Sequence, residues 1–194
     1  RDLKPANVLV DAAGRPRVAD FGLAKEIRGD GAAPLTRSGV VVGTPNFMSP
    51  EQADGESRHV DARSDVFSLG VMLYETLAGC LPFVADGAIG TLLAVSHHDP
   101  APPRRLRPET PADLETVCLK ALEKDPARRY ASAGALAADL GRWLDGEPVA
   151  ARPISGAQRL LRRAARHRRA VLAVAVLLGV AAVLAGALVV GSAD

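Results

Sequence analysis

The chain has 194 residues, 48% of them apolar and 24% charged, a balance ordinary for one globular body with appendages. Its formal net charge of +2 is unevenly spread: Arg1 to Ala157 holds 18 Lys and Arg against 21 Asp and Glu, whereas Gln158 to Arg169 holds six Arg and no acid. A slightly acidic body with a short basic collar is not the electrostatic footprint of a nucleic-acid binder, so no nucleic-acid partner is expected.

The two cysteines, Cys80 and Cys118, stand far apart without a C-x-x-C spacing. A disulfide framework or a zinc site needs more, and both are read as small buried hydrophobes in a reducing cytosol. The first residue is Arg1 rather than Met, so the sequence is expected to begin partway through a larger protein, where a secretory signal could not be seen.

In chain order, Val8 to Val10 is a β-branched and apolar run, "DAAGR" supplies turn residues, and Arg17 to Ala19 reads as a returning strand. Glu26 to Val42 is rich in Gly, Ser and Thr without periodicity and reads as a long loop. From Val66 to Leu77 almost every position is apolar, the pattern of a helix buried all round, with Ser64 or Asp65 as its cap and Gly79 as its terminator.

Thr110 is expected to cap a further helix with Pro111 at its first position, and Leu114, Val117, Cys118, Ala121 and Leu122 fall on one face. "SAGALAADLGRWLDG" repeats the logic with Leu136, Leu140, Trp143 and Leu144 on a face and Gly146 at the end. The fold class expected is mainly α, with a short β-hairpin at the start and one transmembrane helix after the body.

The hairpin carries a chemical constellation. Asn7 precedes the outgoing strand and Asp20 follows the returning one, so the hairpin brings two oxygen-bearing side chains together. Such a pair suits a hard cation such as Mg²⁺, which prefers few carboxylates plus phosphate oxygens. Asp2, five residues before Asn7, would accept a proton from a hydroxyl attacking a metal-bound phosphate, and Lys4 would place its charge on the phosphate in transfer. Taken alone the same residues are more often turn formers.

Five ordered motifs resolve the choice. "RDLKPAN", "DFG" at Asp20 to Gly22, "GTPNFMSPE", "RSDVFSLGVMLYE" and "DPARRY" together resemble the eukaryotic-type (Hanks-type) protein Ser/Thr kinases in their bacterial form. Ser49 stands where that family usually has Ala before Pro-Glu. The likeness covers residues 1 to about 145, most of the larger C-terminal lobe.

The resemblance implies Asp2 as catalytic base, Lys4 on the transferring phosphate, and Asn7 and Asp20 as Mg²⁺ ligands, with ATP as the phosphoryl donor and Ser or Thr of protein substrates as acceptors. It implies Thr44 near the acceptor, Gly22 freeing the Asp-Phe-Gly turn, Glu51 paired with Arg129, and Asp65 bracing the catalytic loop. Thr36 and Ser38 fall where the family carries activating phosphates, and Arg1 would bind such a phosphate and order the loop.

Beyond residue 145 the reading is a linker at 146–157, a basic juxtamembrane segment at 158–169, a membrane helix at 170–190 and the start of an external region at 191–194. Ala170 to Val190 is uncharged and, at ~1.5 Å per residue, about 32 Å long as a helix, enough for a ~30 Å hydrocarbon core. The six arginines before it place the body in the cytoplasm and the C-terminus outside a plasma or inner membrane. Gly179, Ala182 and Gly186 offer a small-residue spacing for a dimer in the membrane.

The Gly-rich loop, strand lysine and helix glutamate that grip ATP in the family do not occur in this sequence, so this stretch is expected to be inactive alone. The reading carried forward is a fragment of a membrane-anchored signalling kinase. The alternatives are a non-catalytic tethered lobe used for docking, and a receptor whose kinase-like body is a scaffold.

Overall fold

The computed structural model describes residues 2–19, 45–55 and 60–152. Arg1, Asp20, Gly22, Thr36, Ser38 and Thr44 lie outside the described residues, as do the long loop and everything from 153 onward, including the expected membrane helix. Among the described residues no helix is long and apolar enough to cross a membrane.

The chain opens with a 3-10 turn, Pro5–Asn7, that runs into a two-stranded antiparallel hairpin of β1 (Val8–Val10) and β2 (Pro16–Val18). Val8 faces Val18, Leu9 faces Arg17 and Val10 faces Pro16. The returning strand thus starts one residue before the sequence suggests. The turn is built by Asp11, whose Oδ1 accepts the amides of Ala13 at 3.0 Å and Arg15 at 2.9 Å, while Gly14 takes a positive φ of 76°.

The rest is helical: α1 (Pro50–Ala53), α2 (Ala62–Ala78), α3 (Gly87–His97), α4 (Pro103–Leu106), α5 (Ala112–Ala121) and α6 (Ala133–Leu144). Helix α2 is the axis of the body. Its cap is Asp61, whose side chain accepts the Arg63 amide, rather than Ser64 or Asp65, which fall inside the first turn. Gly79 closes it in the left-handed region at φ 77°.

Two apolar clusters meet around α2. Phe67, Val71, Tyr74 and Ala78 pack with Phe83, Ala94, Val95, Cys118 and Leu122 in one. Val66 joins Val117, Ala121, Tyr130, Leu136 and Ala151 in the other. This two-sided burial is why almost every α2 position had to be apolar. Helix α5 crosses α2 at Gly70, where an added Cβ would stand 2.9 Å from Cβ of Ala121, so only a hydrogen fits.

Helix α5 starts one residue later than the sequence suggests. Pro111 is its N-cap, and Thr110 before it is buried. The face from Leu114 to Leu122 is buried as patterned. In α6, capped by Ser132 through the Ala135 amide at 3.1 Å, Leu136 is buried but Leu144 is 75% exposed. The residue buried on that helix instead is Asp139, for a reason given below. Cys118 is buried as expected, whereas Cys80, just past the end of α2, is exposed.

Candidate active site

The Pro5–Asn7 turn is set by proline: Pro5 at the first position pre-forms φ, and the Asn7 amide donates to the Lys4 carbonyl at 2.9 Å. This folds Asp2, Lys4 and Asn7 into one loop. Asn7 is buried, and its Nδ2 donates to the backbone oxygen of Asp2 at 2.7 Å. Lys4 Nζ lies 3.0 Å from Oδ2 of Asp2, in a partly exposed ion pair. The Ala19 amide donates to the Asn7 carbonyl at 2.8 Å, so the residue immediately before Asp20 is tied to Asn7 by the end of the hairpin.

The side-chain chemistry fits a hard divalent cation. With Nδ2 committed to Asp2, the Asn7 amide is oriented so that Oδ1 remains as a ligand atom, an oxygen donor of the kind Mg²⁺ takes. The second ligand expected, Asp20, is outside the described residues. Among the described residues no group of three or more His, Cys, Asp or Glu is arranged to hold a metal, and the adjacent His97 and His98 are exposed at the end of α3.

A second constellation lies deeper. Glu51, in the first turn of α1, is buried and meets Arg129 through both carboxylate oxygens, Nη1 to Oε1 at 2.8 Å and Nη2 to Oε2 at 2.7 Å. The remaining guanidinium hydrogens go to the backbone: Nε to Glu123 O at 2.7 Å, Nη1 to Arg63 O at 3.0 Å and Nη2 to Lys124 O at 3.1 Å. All five donors of the guanidinium are therefore used, as burial of a fixed charge demands.

Ser64 Oγ adds a 2.6 Å bond to Oε1 of Glu51. Burial pushes the Glu51 carboxyl up, but the Arg129 and Ser64 hydrogen bonds and the Arg129 charge outweigh it and bring it down to about 2.

This pair clamps the segment that follows the long loop. Ser68 Oγ donates to Phe47 O at 2.7 Å and Asn46 Nδ2 donates to Phe83 O at 3.0 Å, so the 3-10 turn Pro45–Phe47, which follows Thr44, is anchored on α2 and on the stretch before α3. Ser49, at the position where Ala is usual, is fully buried; its amide and its hydroxyl both donate to Gln52 Oε1, at 3.0 and 3.2 Å. Asp65 sits half-buried in the first turn of α2.

The anchoring roles of Ser64, Ser68 and Asn46 were not legible from the sequence. Two serines four apart in an otherwise apolar helix were the available signal, since such hydroxyls need acceptors once buried.

Comparisons with known proteins agree with this geometry. Residues 1–140 match the protein kinase domain family. The chain is 45% identical over 148 residues to the serine/threonine-protein kinase PknB of Mycobacterium tuberculosis, covering 76% of this chain and 23% of that protein. It is 42% identical over 157 residues to a probable serine/threonine-protein kinase of Streptomyces coelicolor, covering 81% and 23%. It is 46% identical over 149 residues to the serine/threonine-protein kinase pkn3 of Myxococcus xanthus, covering 72% and 26%.

The chain thus spans about a quarter of the length of the curated relatives it matches. A hairpin loop carrying Asp2, Lys4 and Asn7, a buried Glu51–Arg129 clamp around one central helix, and a family match over 140 residues converge: the chain belongs to the protein kinase domain family, among its bacterial Ser/Thr members.

Proposed function

We propose that this chain is the larger-lobe part of a membrane-anchored kinase that transfers phosphate from ATP to Ser or Thr of protein substrates. The observation that carries the reading is the loop in which Asn7 holds the Asp2 backbone while Lys4 pairs with the Asp2 carboxylate. Bound ATP and Mg²⁺ would supply the phosphoryl group and neutralise its charge.

The chain's own residues do the rest. Lys4 engages Oδ2 of Asp2, which leaves Oδ1, among the described residues, to accept the proton of the attacking hydroxyl. Lys4 would direct its charge to the phosphate in transfer, and Asn7 with Asp20 would hold the cation. Thr44 positions the acceptor, and Thr36 and Ser38 receive activating phosphates that Arg1 binds. A lobe ahead of Arg1 supplies the remaining ATP contacts.

The six arginines from Arg159 to Arg169 and the apolar run Ala170 to Val190 support a single-pass anchor, with the body on the cytoplasmic side, the C-terminus outside and a dimer through the small residues of the span.

The deciding experiment is Asp2→Asn in the full-length protein, assayed by radiolabelled phosphate transfer to protein Ser/Thr with circular dichroism as a folding control. Transfer is expected to vanish with the fold intact. Undiminished transfer would remove Asp2 as the base, and absence of transfer in the unaltered protein would favour a non-catalytic docking lobe. Retention of the chain in membranes washed at alkaline pH tests the anchor separately.

A further inference from the structure

Asp139 is an anomaly the kinase reading does not use. It lies on α6, in a helix patterned for apolar burial, and is 2% exposed. Its carboxylate accepts three bonds: Tyr130 Oη to Oδ2 at 2.7 Å, the Ala150 amide to Oδ1 at 2.7 Å and the Ala151 amide to Oδ2 at 2.9 Å. Two of these come from the stretch after α6, which the sequence presents as linker.

Ala151 is itself buried with Val66, Val117, Ala121, Tyr130 and Leu136, and Val149 packs against the same cluster. Lys120 Nζ stands 4.2 Å above the Tyr130 ring, tying α5 to the arrangement. At the base of the strap the Glu147 amide returns to the Arg142 carbonyl at 2.8 Å, and the Arg142 and Glu147 side chains approach to 3.7 Å.

A linker does not need a buried carboxylate. Residues 147–151 are short and contain Pro148; beyond the Glu147 contacts with Arg142 at their start, they bond the body through the Ala150 and Ala151 amides, and both end on one side chain. The cluster they cover includes Val66 of α2, two residues from Ser64, which bonds Glu51.

We propose that residues 147–151 are a releasable latch, with Asp139 as its receiving carboxylate and Tyr130 as the positioning residue that holds Asp139. Withdrawing the strap uncovers the Val66 cluster and leaves the Asp139 carboxylate with Tyr130 as the one remaining donor of its three hydrogen bonds, with Arg142 Nε 3.9 Å from Oδ1. The inference stands on contacts within the body and is independent of phosphoryl transfer and of the membrane anchor.

The test is hydrogen–deuterium exchange of the full chain in detergent micelles, comparing peptides spanning 147–152 with peptides from α2. In the unaltered chain the strap is expected to be protected. Asp139→Asn, which keeps the shape but halves the acceptor capacity, should speed strap exchange roughly tenfold to a hundredfold with α2 still protected. Tyr130→Phe should give a smaller effect of the same kind.

Ala150→Pro removes a donor from the strap side without touching the body and should reproduce the Asp139→Asn pattern, which covers the case in which that variant fails to fold. Strap exchange unchanged in Ala150→Pro, or strap and α2 losing protection only together, would overturn the latch.

Discussion

Glu51 and Arg129, 78 residues apart in sequence, form a two-armed ion pair with N–O distances of 2.7 and 2.8 Å, and Arg129 is fully buried. The parallel fork fixes α1 against the segment that follows α5, and through Ser64 it fixes both to the start of α2. Removing one partner would leave the other charged, buried and unmatched. Glu51→Ala and Arg129→Ala are each expected to destabilise the lobe by about 3–5 kcal/mol. Arg129→Lys should recover only part, since an ammonium cannot make the fork or reach three carbonyls. Urea unfolding followed by tryptophan fluorescence measures this.

The same pair sets an acid limit. Glu51 titrates at about 2 in the folded lobe against an ordinary 4.5, so the unfolded chain binds this proton more tightly. Its stabilising contribution is fully present above pH ~4.5 and is lost as pH falls through about 2, amounting to roughly 3 kcal/mol at ~1.4 kcal/mol per tenfold change in proton affinity. Unfolding free energy measured from pH 6 to pH 2 should fall along this curve. In Glu51→Gln the lobe should be weaker at neutral pH and the fall correspondingly shallower; an equal slope in both proteins would refute the assignment.

Gly70 tests the helix crossing. A methyl group there meets Cβ of Ala121 at 2.9 Å and the Ala121 backbone at 3.2 Å, and backbone cannot rotate away as a side chain can. Gly70→Ala should destabilise by about 1–3 kcal/mol despite the better helix propensity of alanine, which would stabilise by ~1 kcal/mol at an open site. A gain in melting temperature would mean that α5 is not packed against α2 at this point.

On the proposed function, Asn7 would link loop geometry to cation binding. Asn7→Ala removes the 2.7 Å bond to the Asp2 backbone together with the ligand oxygen. In the full-length protein it should lower phosphoryl transfer by at least about a hundredfold and raise the Mg²⁺ concentration for half-maximal rate, while global stability falls by only ~1 kcal/mol. A magnesium titration of initial rates separates this outcome from simple unfolding.

The thiols should report the fold directly. Cys80 is exposed and Cys118 buried, its Sγ 3.7 Å from the Gly70 carbonyl. Burial also pushes the Cys118 thiol up, so little thiolate forms at neutral pH. Maleimide labelling of the native chain should modify one thiol rapidly, at Cys80, and the second only in denaturant. Fast labelling at Cys118 would contradict the packing of α2 on α5.

The sequence by itself determined the parts of this protein whose signals are local. Alternation and turn residues marked the hairpin, unbroken apolarity marked α2, and periodicity marked the buried face of α5, because backbone geometry and burial act over a few residues. The ordered motifs also singled out Asp2, Lys4 and Asn7 as candidates, and the Pro5–Asn7 turn gathers these three into one loop. Even the Glu51–Arg129 pairing was anticipated, through family resemblance rather than spacing.

Only the tertiary structure decided the polar anchors. Ser64 and Ser68 find acceptors 13 and 21 residues away, and Asp139 finds one donor before its own helix and two beyond its end. Asp139 lies at the edge of the apolar face of α6, three residues after Leu136 and four before Trp143, where its charge argues for solvent and Leu144 argues for core, yet the fold buries Asp139 and exposes Leu144. Periodicity records which face is covered, but not whether the covering chain brings side chains or amide hydrogens. That is fixed by which backbone crosses the helix: the returning strap brings two amides that need acceptors once covered, and the Asp139 carboxylate supplies both.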